Sequence, residues 1–155
     1  MKQLRLTIDS NLEDVSLIGL AINKICEHLR MDEVQAYQVE LCAVEALTNA
    51  IRHAYRNQPG HEVLVVLSIT GDRLDLEICD RGAPMPCEFV ERLERGSRVF
   101  EFDQSNLASV PEGGMGLQIM HEVMDQVSYV RGSAEGQLNR LCLAKLLNRA
   151  RPQVC

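Results

Sequence analysis

Apolar and polar residues recur with two different periods along this chain of 155 residues. "KQLRLTI" alternates with a period of two and predicts a first strand. "DSNLEDVSLIGLAINKICEHL" then places Leu12, Val15, Ile18, Ile22, Ile25 and Leu29 at helical spacing. A capping residue is expected at Asp9 or Ser10, with acids in the first turn. A second helix starts near Asp32 and runs to about Tyr55, where "RNQPG" breaks it. "EVLVVLSIT" and "RLDLEICD" are β-rich, and Gly71-Asp72 between them is a hairpin signal. "RGAPMP" stops the second of these strands, and "CEFVERLERG" predicts a short helix. Residues 96–113 hold no firm period and read as a long loop, which in a small domain is usually functional or disordered. "GMGLQIMHEVMD" is a helix entered through glycines, and "QVSYVR" and "QLNRLCLAKLL" close the chain as strands.

The order β-α-α-β-β-α-loop-α-β-β lacks the alternation of a doubly wound parallel sheet. It predicts an α+β fold of two layers: one mixed, mostly antiparallel sheet with helices on one face and a long loop. The length suits a single domain, expected over residues 1–148, with a short tail at 149–155.

Composition narrows the function. Apolar residues make up 46% and charged residues 25%, ordinary for a globular protein. A net charge of -6 gives no basic footprint for nucleic acid. It also leaves few cations for an anionic ligand, so backbone amides would do much of that work. No stretch has the apolar length of a membrane span, and the N-terminus is no signal peptide, so the chain is expected in the cytoplasm. Cys26, Cys42, Cys79, Cys87, Cys142 and Cys155 form no CxxC pair and no zinc-ligand spacing. Cys87 and Cys155 are the two expected to be exposed; the other four sit among apolar residues and read as small hydrophobes.

Three separated constellations carry candidate chemistry. In "EALTNAIRH", Glu45, Asn49, Arg52 and His53 share one sector of a helix that advances about 100° per residue. The Asn49 carboxamide is suited to Mg²⁺, a hard cation that prefers oxygen, and the Glu45 carboxylate to accepting a proton. In "ICDRGAPMP", Asp80 ends a strand and Gly82 follows, suited to an acceptor beside a closely approaching backbone. In "EGGMGLQIM", Gly113, Gly114 and Gly116 lead into an apolar helix whose first amides form an anion site. Each has a plainer reading taken alone: a solvated helix face, an Asx-type turn, a hinge. The glycines fit neither G-x-x-x-x-G-K-[ST] nor G-x-G-x-x-G after a strand.

The order of the motifs is more specific than any one of them. Helix E-x-x-x-N, strand-end D-x-G, a long loop, then G-x-G opening a helix resembles the GHKL (Bergerat-fold) ATP-binding family over nearly the whole chain. "VEALTNAIRHAY", "DRGAPM", "PEGGMGLQIM", "MDQVSYVR" and "GQLNRLCLAK" resemble its stand-alone branch, the anti-sigma-factor serine/threonine kinases of bacterial partner-switching systems.

The resemblance implies a use for each residue. Asn49 would ligate Mg²⁺ on the ATP phosphates, and Glu45 would be the general base toward a serine or threonine hydroxyl. Asp80 would accept from the adenine amino group, with Gly82 shaping that pocket. Gly114 and Gly116 would present amides to the phosphates, in a nucleotide-binding stretch that spans Gly113, Gly114, Met115, Gly116 and Leu117. Residues 96–113 would be the ATP lid. Asn139 stands where the family often has a threonine near the adenine. Glu112 stands where sporulation-type members carry an arginine, and Arg98 is a candidate substitute. Arg52 and His53 lie at the cleft edge without an assigned role. The implied activity is a kinase that phosphorylates a STAS-domain anti-anti-sigma protein and sequesters a sigma factor or other regulator, as a homodimer. The alternative is a nucleotide-dependent sequestering module with little or no transfer. A sensor histidine kinase fits less well, because His28 has no dimerisation hairpin around it.

Overall fold

The computed structural model describes residues 1–95 and 114–147. The expected lid, with Arg98, Glu112 and Gly113, and the tail from 148 onward with Cys155 lie outside the described residues. Five strands and four helices follow in the order β1 (Lys2–Asp9), α1 (Val15–His28), α2 (Glu33–Asn49), β2 (Glu62–Thr70), β3 (Arg73–Asp80), α3 (Cys87–Arg95), α4 (Gly114–Val123), β4 (Gln126–Val130) and β5 (Asn139–Leu146).

The strands form one sheet in the order β1-β2-β3-β5-β4. All four pairings are antiparallel, so the mostly antiparallel sheet expected from the element order has no parallel member among the described residues. Leu67 pairs with Leu76, and Leu76 with Leu143, so one register stacks a row of buried side chains across three strands. Val63, Val65, Leu74, Ile78 and Leu141 share that face and are buried with them. Ile18 and Ile22 of α1, Val39, Ala43, Ala46 and Leu47 of α2, and Met120 of α4 belong to the same core. Each large aliphatic side chain buried this way contributes roughly 1.5–3 kcal/mol relative to exposure. A slip of one residue would turn the whole row to the other face, which is why the register is firm. That other face carries half-buried pairs such as Arg73–Asp75 at 2.8 Å.

The hairpin at Gly71-Asp72 joins Thr70 to Arg73, and Gly71 has a φ of 61°, as a two-residue turn with glycine first requires. Asp32 caps α2 in a capping box: its Oδ1 accepts from Gln35 N at 2.8 Å, and Gln35 Oε1 accepts from Asp32 N at 3.3 Å.

Two local expectations are corrected. Neither Asp9 nor Ser10 caps the first helix. Asn11 instead caps the 3-10 turn at Leu12–Asp14 that leads into it, accepting from Glu13 N at 3.1 Å, and Asp14 at the start of α1 makes no side-chain cap bond. Ser10 is buried and bonds instead to the turn after α2, donating to Gln58 O at 2.5 Å and accepting from His61 N at 3.1 Å. Asp9 accepts from Gly60 N in the same turn at 3.1 Å. A distant backbone with unpaired groups wins these side chains from the adjacent helix end. The second correction is that the helix after Asn49 widens. Ala50–Ala54 is π-helical, with Tyr55 N donating to Ala50 O at 3.2 Å. Arg56 and Asn57 then end it in the left-handed region, at φ 52° and 59°.

Candidate functional site

The sheet and helices enclose a cavity of about 310 Å³, within the range of small-molecule sites. Its walls come from every layer: Ile78 and Asp80 at the end of β3, Leu141 of β5, Tyr129 of β4, Asn49 of α2 and Leu117 of α4. Apolar side chains dominate, as a flat ring ligand requires, and Asp80 is the one acid on the lining among the described residues.

Asp80 is only 6% exposed. Its Oδ1 accepts from Gly82 N and from Asn139 Nδ2, both at 2.9 Å. Its Oδ2 receives no hydrogen bond among the described residues, which leaves a carboxylate acceptor for a ligand. Burial pushes the Asp80 carboxyl up, and the bonds from Asn139 and Gly82 pull it back down. Asn139, paired with Asp80 in the β3–β5 ladder, is buried and does not line the cavity. Its second amide hydrogen goes to Gly82 O at 3.0 Å, and its Oδ1 accepts from Gly132 N at 3.1 Å. Both hydrogens are therefore committed to protein, and Asn139 acts through Asp80 by fixing which oxygen faces the cavity.

The segment after Asp80 is held close against the π-helical turn that follows α2. Gly82 sits so near Ala54 that an added Cβ would overlap the Ala54 carbonyl, and Ala83 N donates to the same carbonyl oxygen at 2.9 Å. Arg81 N donates to Tyr55 Oη at 2.8 Å and Met85 N to Tyr129 Oη at 2.9 Å. Residues 81–86 thus form a fixed wall, with Ala83, Pro84, Met85 and Pro86 on the cavity. Pattern reading gave no sign of the two tyrosines, because their partners are backbone groups far away in the chain.

On the opposite wall, Asn49 and His53 line the cavity, and the Asn49 carboxamide makes no hydrogen bond among the described residues. Arg52, which shares their sector on an ideal helix, is exposed and off the lining, whereas Arg56 is on it. The wider π-helical turn changes which residues reach the cleft. Glu45 is half-buried and lies beside α4 rather than on the cavity surface: a Cβ on Gly116 would stand 2.5 Å from Glu45 Oε2. The structure therefore brings together the three motifs that the sequence separates. α4 starts at Gly114, and the first amides of any α-helix lack intrahelical acceptors.

No group of three or more His, Cys, Asp or Glu among the described residues could hold a metal ion. Mg²⁺ carried by a phosphate ligand keeps its waters and takes one or two protein oxygens. The Asn49 carboxamide oxygen is a donor of that kind. His28 is exposed at the end of α1. No helix among the described residues is long and apolar enough to cross a membrane.

Residues 8–145 match the family model described as the histidine kinase-like ATPase domain. The chain is 28% identical over 151 residues to the serine-protein kinase RsbW of Bacillus pumilus (strain SAFR-032), covering 96% of this chain and 88% of that protein. It is 24% identical to the serine-protein kinase RsbW of Staphylococcus aureus (strain MRSA252), with 84% and 80% covered. Among solved structures, the mycobacterial sensor histidine kinase MprB matches with a TM-score of 0.51 at 18% identity, over 92% of this chain and 97% of that one. That last likeness is one of fold.

Proposed function

We propose, for a chain that belongs to the histidine kinase-like ATPase domain family, that it is a serine/threonine protein kinase of a bacterial partner-switching system. It uses Mg-ATP to phosphorylate a STAS-domain anti-anti-sigma protein, and it sequesters a sigma factor or another regulator. It works in the cytoplasm as a homodimer. The relatives named serine-protein kinases support the activity. The observation that carries the reading is the contact of Glu45 with Gly116, which puts a carboxylate against the glycine-entered helix at the edge of a cavity containing Asp80.

The adenine lies among Ile78, Met85 and Leu141, with its amino group on Asp80 Oδ2. The triphosphate runs toward the start of α4, where the amides of Gly114, Met115, Gly116 and Leu117 donate to it. Mg²⁺, held through Asn49, supplies charge neutralisation on the phosphates. Glu45 accepts the proton of the incoming hydroxyl. Phosphoryl transfer asks little else of the protein than position and charge stabilisation. With a net charge of -6, amides and metal rather than many cations suit this task.

The test combines purified protein, Mg²⁺, γ-labelled ATP and STAS-domain proteins from the same organism, with Glu45→Ala as control. Label on a serine or threonine, lost with Glu45→Ala, is the expected result. Normal ATP binding with every STAS candidate unlabelled would instead make the chain a nucleotide-dependent sequestering module.

A further inference from the structure

Two tyrosines hold the wall of the cavity, and their hydroxyls are not equivalent. Tyr55 Oη accepts from Arg81 N at 2.8 Å and donates to Glu62 O at 2.7 Å, so its hydrogen is used inside the protein. Tyr129 Oη accepts from Met85 N at 2.9 Å, and its own hydrogen has no acceptor among the described residues. Tyr55 is not on the cavity lining, whereas Tyr129 is, together with Met85 and Asp80. The pairing of Tyr129 with Leu141 on β5 places it beside the apolar floor.

The Met85 amide fixes the Tyr129 oxygen and leaves the O–H free to turn toward a ligand. Tyr129 is half-buried on the lining, and its hydroxyl hydrogen is available to a ligand that supplies an acceptor. Burial raises the Tyr129 pKa, the Met85 amide lowers it, and the charge of Asp80 raises it again, so the phenol keeps its proton near neutrality. The cavity thus carries an anchored acceptor, Asp80 Oδ2, and in Tyr129 a donor whose oxygen is anchored, beside Asn49, His53 and Arg56 on the lining. Adenine, which offers its exocyclic amine to the first, has only lone pairs at its unsubstituted ring nitrogens.

We propose that the Tyr129 hydroxyl donates a hydrogen bond to a ring nitrogen of the bound base, which makes Tyr129 a specificity-determining residue. This rests on the nucleotide reading of the cavity. Asp80 then selects the amine and Tyr129 the adjacent ring acceptor, and a base with the reverse pattern of donors and acceptors loses both bonds.

The test is a calorimetric titration of the full chain with ATP and with its 1-deaza, 3-deaza and 7-deaza analogues. Wild type, Tyr129→Phe and Tyr55→Phe are compared. In wild type, one analogue is expected to bind about five- to tenfold weaker than ATP. In Tyr129→Phe, ATP weakens by that factor and the penalty on that one analogue disappears. In Tyr55→Phe the penalty persists. Equal weakening of ATP and all three analogues by Tyr129→Phe would mean that the residue serves only the Met85 wall, and the proposal fails. It fails equally if the penalty survives in Tyr129→Phe, since His53 or Arg56 would then be the donor. If Tyr129→Phe does not fold, the ¹³Cζ resonance of Tyr129 in wild type decides. It must move on adding ATP and stay in place with the sensitive analogue, and a signal blind to the analogue sinks the assignment. Absence of any ATP binding to wild type overturns the nucleotide reading and this proposal together. Binding that is blind to the analogues overturns this proposal alone.

Discussion

A Cβ on Gly116 would stand 2.5 Å from Glu45 Oε2 and 3.4 Å from Glu45 Cβ. The carboxylate of the E-x-x-x-N helix therefore occupies the space that a side chain on the glycine-entered helix would need. Gly116→Ala meets only the far end of a flexible side chain, which can rotate away. Its expected cost in stability is under about 1 kcal/mol. Displacing the proposed base is expected to lower phosphoryl transfer at saturating ATP by about a hundredfold. In a Glu45→Ala background the same change should add little, because the group it displaces is already gone. A double-mutant cycle on single-turnover rates reads this directly, and additive effects would mean that Gly116 acts through something other than Glu45.

Gly82 behaves differently, because its neighbour is backbone. A methyl group there overlaps the Ala54 carbonyl and has no side chain to push aside. Gly82→Ala should destabilise the fold by roughly 2–3 kcal/mol and separate residues 81–86 from the π-helical turn at Ala50–Ala54. Urea denaturation measures the first effect, and loss of nucleotide binding the second. A Gly82→Ala protein of wild-type stability would contradict the close approach.

Asp80 should cost the nucleotide-free protein stability. Burial raises its carboxyl pKa above that of the unfolded chain, so the native state holds the proton more tightly. Stability contributed by this group therefore falls as pH rises from the unfolded toward the folded pKa, and the cost is complete above the folded value. Asp80→Asn, which keeps an acceptor for Gly82 N and Asn139 Nδ2, is expected to melt higher than wild type at neutral pH and to bind no adenine nucleotide. That advantage should shrink as pH falls through the folded-state pKa. Asn139→Leu acts in the opposite direction. It removes a hydrogen bond from a buried carboxylate and should cost roughly 1.5–3 kcal/mol. Thermal melts of the three proteins across acidic to neutral pH check both signs.

The cysteines divide by burial. Burial pushes Cys26 and Cys42 up to about 12 and Cys79 to about 11, whereas Cys87 is exposed. A thiol reagent at neutral pH should label Cys87 rapidly in the folded protein. Cys26, Cys42 and Cys79 should react only at the rate of unfolding. Mass spectrometry of timed samples separates the two classes, and early labelling of Cys42 would contradict its place in the core.

What the sequence by itself determined is what local geometry dictates. The period of two in "KQLRLTI" and the hairpin at Gly71-Asp72 appear as read, and so does the start of the second helix near Asp32. These follow from backbone sterics and from turning apolar side chains to one side, both of which act within a few residues. The same locality made Glu45, Asn49, Asp80 and the glycines legible as separate motifs. Only the tertiary structure decided which of them meet. The strand order β1-β2-β3-β5-β4 puts Asn139 against Asp80, and packing of α4 on α2 puts Gly116 against Glu45. Ser10 gave up an expected cap for the turn at Gln58 and His61, and Tyr55 and Tyr129 became anchors for residues 81–86. In each case a polar group near or inside the core must find a partner. That partner is a backbone or side-chain group which sheet order and register, not sequence distance, bring within 3 Å or so.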